Sequence, residues 1–284
     1  MRWTPGNRGN IDDARGRGPV RGGVQLGVGG MLVLLVLSWA TGTDLFSLLG
    51  TNGGAPAPGA TATTGEVRTT PEEERMVDFV DAVAGDTQQV WQQLLGSRYQ
   101  PTRVVLFRDA VQSGCGAAQS AVGPFYCPAD SRVYLDLSFF AELDRQFGAP
   151  GDFAQAYVIA HEFGHHIQNI LGANERVGGD RMGANSAAVA LELQADCYAG
   201  VWGHAASQGG RFERGGVELE PGDAEEALRA AAAIGDDRLQ RESTGRVQPE
   251  RFTHGTSAQR MEWFQRGMRS GDPRQCDTFR EVTQ

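Results

Sequence analysis

The segment His161-Glu162-Phe163-Gly164-His165 constrains this chain more than any other, because it lies inside a helix-forming run and sets two imidazoles one turn apart. Asp152 is a good N-cap, Phe153, Ala156, Tyr157, Ala160 and Phe163 recur at helical spacing, and Gly172 follows where a helix would stop. A helix is expected over about 152–171. On it His161 and His165 share a face, so two ring nitrogens can approach one ion at roughly 2.0–2.1 Å each. Glu162 projects beside them, placed to take a proton from water that such an ion activates rather than to bind the ion. A match this short also arises by accident on ordinary half-exposed helices, so a third protein ligand is required.

A second apolar run, from about Ser186 to Ala206, supplies one in Glu192-Leu193-Gln194-Ala195-Asp196. Glu192 and Asp196 are four apart and share a helix face. One carboxylate can complete the metal site while the other accepts the spare N–H of a ligating histidine and fixes its tautomer. The expected set is His161, His165 and Glu192 on the metal, with Asp196 behind it. Two histidines, a carboxylate and an open position form a known catalytic zinc set, so Zn²⁺ is the favoured ion.

The order HExxH then ExxxD resembles the gluzincin group of metallopeptidases. The longer phrases FAQAYVIAHEFGHHIQ (153–168), ELQADCYAGVW (192–202) and FTHGTS (252–257) resemble the bacterial YpfJ-type neutral zinc metallopeptidases. The resemblance runs from about residue 70 to the end and includes the N-terminal layout. It implies a zincin-like fold and a membrane-anchored peptidase, and says little about substrate.

Lysine is absent, so all 26 basic residues are arginine. The first 23 residues hold five arginines against two aspartates, and the remainder 21 arginines against 33 acidic residues. That acidic balance argues against nucleic acid as a partner of the main domain. Residues 24–40 read VQLGVGGMLVLLVLSWA, followed by LFSLL at 45–49. Crossing a bilayer takes about 20 residues, with a lower limit near 17, so one transmembrane anchor over 24–49 is expected, a cleaved signal peptide being the alternative. With Arg8, Arg15, Arg17 and Arg21 before the apolar stretch and Asp44 after it, the positive-inside rule places the N-terminus in the cytoplasm and the remainder outside the membrane. The expected plan is a basic N-terminus (1–23), the anchor (24–49), a Gly/Ala/Pro/Thr tether (50–70) and one metallopeptidase domain (71–284). The fold class is α+β: a mainly helical, zincin-like domain with a small sheet, preceded by the transmembrane helix.

Pro71 with Glu72, Glu73 and Glu74 opens an amphipathic helix, expected to break near Gly85-Asp86 and resume through Leu94. Val104–Phe107 and Val133–Leu137 are the strong strand signals. Residues 132–137, just before the HExxH helix, are a hypothetical edge on which an extended substrate could add as a strand, a plain sheet strand being the alternative. Cys115, Cys127, Cys197 and Cys276 show no C-x-x-C spacing and suggest disulfides. A short loop between Cys115 and Cys127 would leave Cys197 for Cys276, though three pairings are formally possible.

Past the ExxxD helix, a helix is expected over 223–233, with Asp236-Asp237 at its end as a turn former or, less favoured, a calcium site. In the phrase at 252–257, His254 is a candidate donor to the oxyanion of peptide hydrolysis, with Arg260 steadying the same region and Ser257 capping a helix over about 258–269. This histidine-then-arginine spacing also resembles the corresponding segment of the membrane-bound prenyl-protein gluzincins. His166 reads as a surface contact or a contact behind the metal ligands, His204 as an exposed or packing residue, and Tyr157 as core or cleft. The leading expectation is a peptidase, with endopeptidase action as its finer form; a zinc-holding scaffold or partner-binding ectodomain without turnover, or a hydrolase of non-peptide amides, are the alternatives.

Overall fold

Thr70 caps the first long helix: its hydroxyl accepts the Glu73 amide, Pro71 occupies the first turn, and Glu72, Glu73 and Glu74 set carboxylates against the positive helix end. The structure, a computed structural model, describes residues 1–16, 69–145, 148–149 and 151–282. This helix, α1 (Pro71–Leu95), runs unbroken through Gly85-Asp86, where an interruption was expected. Gly85 instead leaves room for the N-terminal segment, since a Cβ there would stand 3.0 Å from Asn10 Nδ2. Asp86 is buried and accepts from Trp202 Nε1 at 2.9 Å and the Val217 amide at 3.0 Å, so it serves the tertiary fold rather than a helix end.

A four-stranded sheet lies against this helical body in the order β1-β2-β6-β5, built from β1 (Ile11–Asp13), β2 (Val104–Phe107), β5 (Phe125–Cys127) and β6 (Arg132–Asp136). β1 and β6 flank β2 in parallel, with Ile11 opposite Val104 and Val104 opposite Val133, and β5 returns antiparallel to β6 with Phe125 opposite Tyr134. β6 is therefore paired on both sides and is not the free edge that residues 132–137 were expected to present. The edge is β5. Between them in sequence, β3 (Ala110–Ser113) and β4 (Gly116–Gln119) form a separate hairpin whose turn carries Cys115, disulfide-bonded to Cys127 at the end of β5.

After the short α2 (Ser138–Arg145), the remaining helices are α3 (Asp152–Leu171), α4 (Ala187–Ala206), α5 (Asp223–Ala233), α6 (Asp236–Thr244), α7 (Ser257–Ser270) and the single turn α8 (Thr278–Glu281). α3 and α4 are buried over most of their surface, and they cross at Gly164, where a Cβ would meet Ala195 Cα and O at 2.9 Å. α4 and α7 approach as closely through Gly200 and Gly267, whose added Cβ atoms would run into the Phe264 and Cys197 carbonyls. The cap of α7 is Thr256, in a reciprocal capping box with Gln259, one residue before the expected Ser257. The Cys197–Cys276 disulfide ties α4 to the C-terminal segment.

The membrane-spanning part of the expected fold is corrected. Among the described residues no helix is long and apolar enough to cross a membrane, and the stretch 24–49 itself lies outside the described residues, as does nearly all of the tether at 50–70. The single-pass placement, with the N-terminus in the cytoplasm and the catalytic domain outside, is contradicted by strand pairing: β1 is a neighbour of β2 in one sheet, so residues 1–16 and the helical body share one compartment. Of the arginines that suggested a cytoplasmic flank, Arg17 and Arg21 lie outside the described residues, and Arg8 and Arg15 have local partners instead. Arg8 pairs with Asp78 at 2.6 Å and with Glu74 on α1, and buried Arg15 pairs with Asp13 at 2.6 Å, Glu73 at 3.0 Å and Glu74 at 3.1 Å. Their charge is matched to the acidic first turns of α1.

Candidate metal centre

The close crossing at Gly164 sets one face of α3 against one face of α4. His161 and His165 face each other with ring centroids 4.9 Å apart and planes nearly perpendicular. Glu192 lies between them, one carboxylate oxygen 3.3 Å from His161 Nε2 and the other 3.6 Å from His165 Nε2. One nitrogen from each ring and a carboxylate oxygen all fall within 4.8 Å of one another. Tetrahedral bonds of roughly 2.0–2.1 Å hold ligand atoms a little over 3 Å apart, close to the two Glu192–histidine separations, so the type and placement of these donors fit a zinc-sized ion. The second close acidic group, Asp152, Asp223 and Glu226, offers no imidazole, and the Met1 ammonium is hydrogen-bonded to Asp152 there at 3.0 Å.

Each imidazole is held from behind. His161 Nδ1 meets Asp196 Oδ1 at 2.8 Å, and Asp196, fully buried, also accepts from Arg260 Nε and Nη2, both at 2.9 Å, and from the Tyr157 hydroxyl. Arg260, expected to steady the region of His254 from behind the metal ligands, lies against Asp196, and its charge also acts on His254. His165 Nδ1 meets Gln168 Oε1 at 2.8 Å; the Gln168 amide nitrogen donates to Leu191 O at 2.6 Å and to Gln194 Oε1 at 3.3 Å, and Gln194 donates to Cys276 O at 2.8 Å. Gln168, Gln194 and the Tyr157 hydroxyl were missed as parts of the site. Gln168 carries a readable signal, since it follows His165 by three on the same helix face.

Burial disfavours charge on His161, yet the field and hydrogen bond of Asp196, with Glu192, raise its pKa to about 10. His165 is raised against the same burial by Glu192. Glu192 is held well below the usual carboxylate range despite burial, chiefly by His165 and His161, and burial of Asp196 is likewise outweighed by Arg260 and His161. Both carboxylates are therefore anionic at neutral pH. A cation entering here displaces imidazole protons, which makes its affinity rise with pH.

Glu162, next to His161, is 8 % exposed. His254 stands at the rim with its side chain half exposed. The protein around it opposes a charge on the ring, but the hydrogen bond to Asp236 and the field of Glu192 raise its pKa. Asp236 also accepts the amides of Thr253, His254 and Gly255, at 2.7, 2.7 and 3.1 Å, while Asp237 accepts from Ser257. The aspartate pair thus acts as a hydrogen-bond acceptor that shapes the loop bearing His254, in place of the calcium reading. His166 is buried against Tyr126 and the Gln100 carbonyl, and His204 donates to Met268 O. Tyr126 also accepts from Asn169 at 3.1 Å, so the edge strand β5 is bolted to the helix that carries the histidines.

Over residues 1–279 the chain matches the family described as "Putative neutral zinc metallopeptidase". It is 46% identical over 297 residues to the uncharacterized protein YpfJ of Escherichia coli, a match covering 98% of this chain and 99% of that protein. It is 48% identical over 219 residues to the uncharacterized proteins Mb2605 of Mycobacterium bovis and Rv2575 of Mycobacterium tuberculosis, covering 75% of this chain and 74% of each of those. No solved structure matches.

Proposed function

Because this chain belongs to the neutral zinc metallopeptidase family, we propose that it hydrolyses peptide bonds in protein or peptide substrates at the cleft between α3 and α4. The observation that carries the reading is the convergence of His161 Nε2, His165 Nε2 and Glu192 on one point, with both Nδ1 atoms engaged elsewhere. In this reading His161, His165 and Glu192 hold Zn²⁺. When bound, the ion supplies a Lewis acid that acidifies water and polarises the scissile carbonyl.

The chain's own groups do the rest. Glu162 accepts the proton that the attacking water gives up and delivers it to the departing amine. His254, its Nδ1 turned to Asp236 and Thr253, presents Nε2 as a donor to the carbonyl oxygen as charge builds there. Asp196 holds His161 in the tautomer whose Nε2 is free, and Arg260 and Tyr157 keep Asp196 anionic and oriented. The free edge of β5, fixed to α3 through Tyr126, is the strand on which an extended peptide would add. Endopeptidase action is the finer form of the reading.

The test is a peptide library offered to the full-length protein, including peptides blocked at both ends. Cleavage that a chelator abolishes and zinc restores supports the reading, and internal cuts in blocked peptides support endopeptidase action. Silence across the library with stoichiometric zinc in place would replace the peptidase with a zinc-holding scaffold.

A further inference from the structure

We propose that Gln168 and Gln194 are positioning residues that form a one-way amide relay, running from the Cys276 carbonyl to His165 and holding that imidazole in its Nδ1–H tautomer. The inference rests on the metal-site reading for its consequence, but not for its geometry. A backbone carbonyl only accepts, so Gln194 must turn its NH₂ to Cys276 O, 2.8 Å away. That leaves Gln194 Oε1 facing Gln168, which must answer with its own NH₂, at 3.3 Å. The same NH₂ donates to a second carbonyl, Leu191 O, at 2.6 Å. Turning either amide over would set oxygen against oxygen at one of these contacts. Only one orientation pairs every atom, and in it Gln168 Oε1 faces His165 Nδ1 at 2.8 Å as an acceptor. In the neutral ring His165 Nδ1 therefore carries the proton, and the lone pair lies on Nε2, the nitrogen that faces Glu192.

The relay is sheltered from water, which would otherwise satisfy either tautomer. Gln168 is fully buried, Gln194 is 5 % exposed and Cys276 1 %. Its far end is anchored twice to α4: Cys276 by its disulfide to Cys197, and the next turn by the Thr278 hydroxyl on Ala190 O at 2.5 Å. The two imidazoles are thus set by different means, His161 by a charged Asp196–Arg260 pair and His165 by neutral amides. A neutral relay fixes the tautomer without adding a further anion beside Glu192.

The experiment compares the full-length protein with Gln168→Met, Gln168→Glu and Gln194→Met by zinc competition against a chelator and by ¹⁵N NMR of the histidine rings. Gln168→Met removes the acceptor: zinc should bind about 10–100-fold more weakly, and His165 in the metal-free protein at alkaline pH should change from one Nδ1–H tautomer to a mixture. Gln168→Glu keeps an acceptor facing His165 Nδ1 and should retain the single tautomer, but it sets a carboxylate oxygen against Leu191 O and Gln194 Oε1, so only part of the affinity should return. Gln194→Met, which does not touch His165, should weaken zinc less than Gln168→Met because Leu191 O still orients Gln168. A single Nδ1–H tautomer and parental zinc affinity in folded Gln168→Met would overturn the relay, as would an Nε2–H tautomer in the parent. If zinc binding in the parent is absent or indifferent to His165→Ala, the metal-site reading fails instead; the ring tautomer, read without metal, still decides the relay.

Discussion

Asp196 and Arg260 meet through two hydrogen bonds of 2.9 Å, with both side chains almost wholly buried and Asp196 Oδ1 reaching on to His161 Nδ1. An ion pair this deep is costly to break from one side, because the remaining charge has no water to turn to.

Asp196→Ala is therefore expected to destabilise the protein by roughly 3–5 kcal/mol and to weaken metal binding about 10–100-fold. Denaturant unfolding and chelator competition check the two effects separately. Unchanged values in both would mean that the pair is a bystander.

The loop that carries His254 makes a prediction in pH. Its pKa is raised in the folded protein against an unfolded value of about 6.5. Folding therefore gains from the His254–Asp236 contact in full below about pH 6.5, and that gain is lost as pH rises through the folded pKa. If protonated His254 is the oxyanion donor, the alkaline limb of kcat/KM lies above pH 6.5 and moves to lower pH in Asp236→Asn. A limb that stays in place would remove His254 from that role.

Gly164 is a steric requirement of the site. An alanine gains up to about 1 kcal/mol in helix propensity over glycine, but its Cβ would press on Ala195 backbone atoms at 2.9 Å, which cannot rotate away. Gly164→Ala should cost about 1–3 kcal/mol net and weaken the metal site by moving Glu192 off the imidazoles. Thermal unfolding with metal titration checks it, and a more stable variant would contradict the crossing geometry.

The two disulfides close loops of different length, with sequence separations of 12 and 79. On the chain-entropy model they contribute about 3 and about 4.5 kcal/mol. Paired cysteine-to-serine variants should show the larger loss for Cys197–Cys276 in urea unfolding. The reverse order would show that strain or denatured-state structure outweighs loop closure.

The bounds of α3 and α4 were readable because apolar spacing and Gly172 as a stop agreed, although Asp152, read as a cap, is the first residue of α3 and Gly151 holds the cap position. The convergence of Glu192 on the imidazoles was readable only as a shared face, since the crossing that produces it depends on small residues at 164 and 195. β1 was not legible: three residues, two of them aspartates, carry no strand pattern, and their place is set by pairing with β2 across some ninety intervening positions. Without the β1 segment, the arginines at 8 and 15 looked like a membrane flank and Gly85 looked like a helix break; both follow from contacts that no local pattern encodes. β6 looked like an edge because its outer neighbour β5 is a strand of only three residues. Gln168 went unnoticed for a different reason: its partner is a ring nitrogen whose role appears only once α4 is in place.

The central claim is that α3 and α4 together hold a zinc ion beside a general base. Its most direct test is Glu162→Gln, followed by metal content and peptide hydrolysis on the same sample. The account predicts one zinc per chain, as in the parent, with hydrolysis reduced by about 10²–10⁴-fold or more. Parental turnover in that variant, with zinc retained, would contradict it.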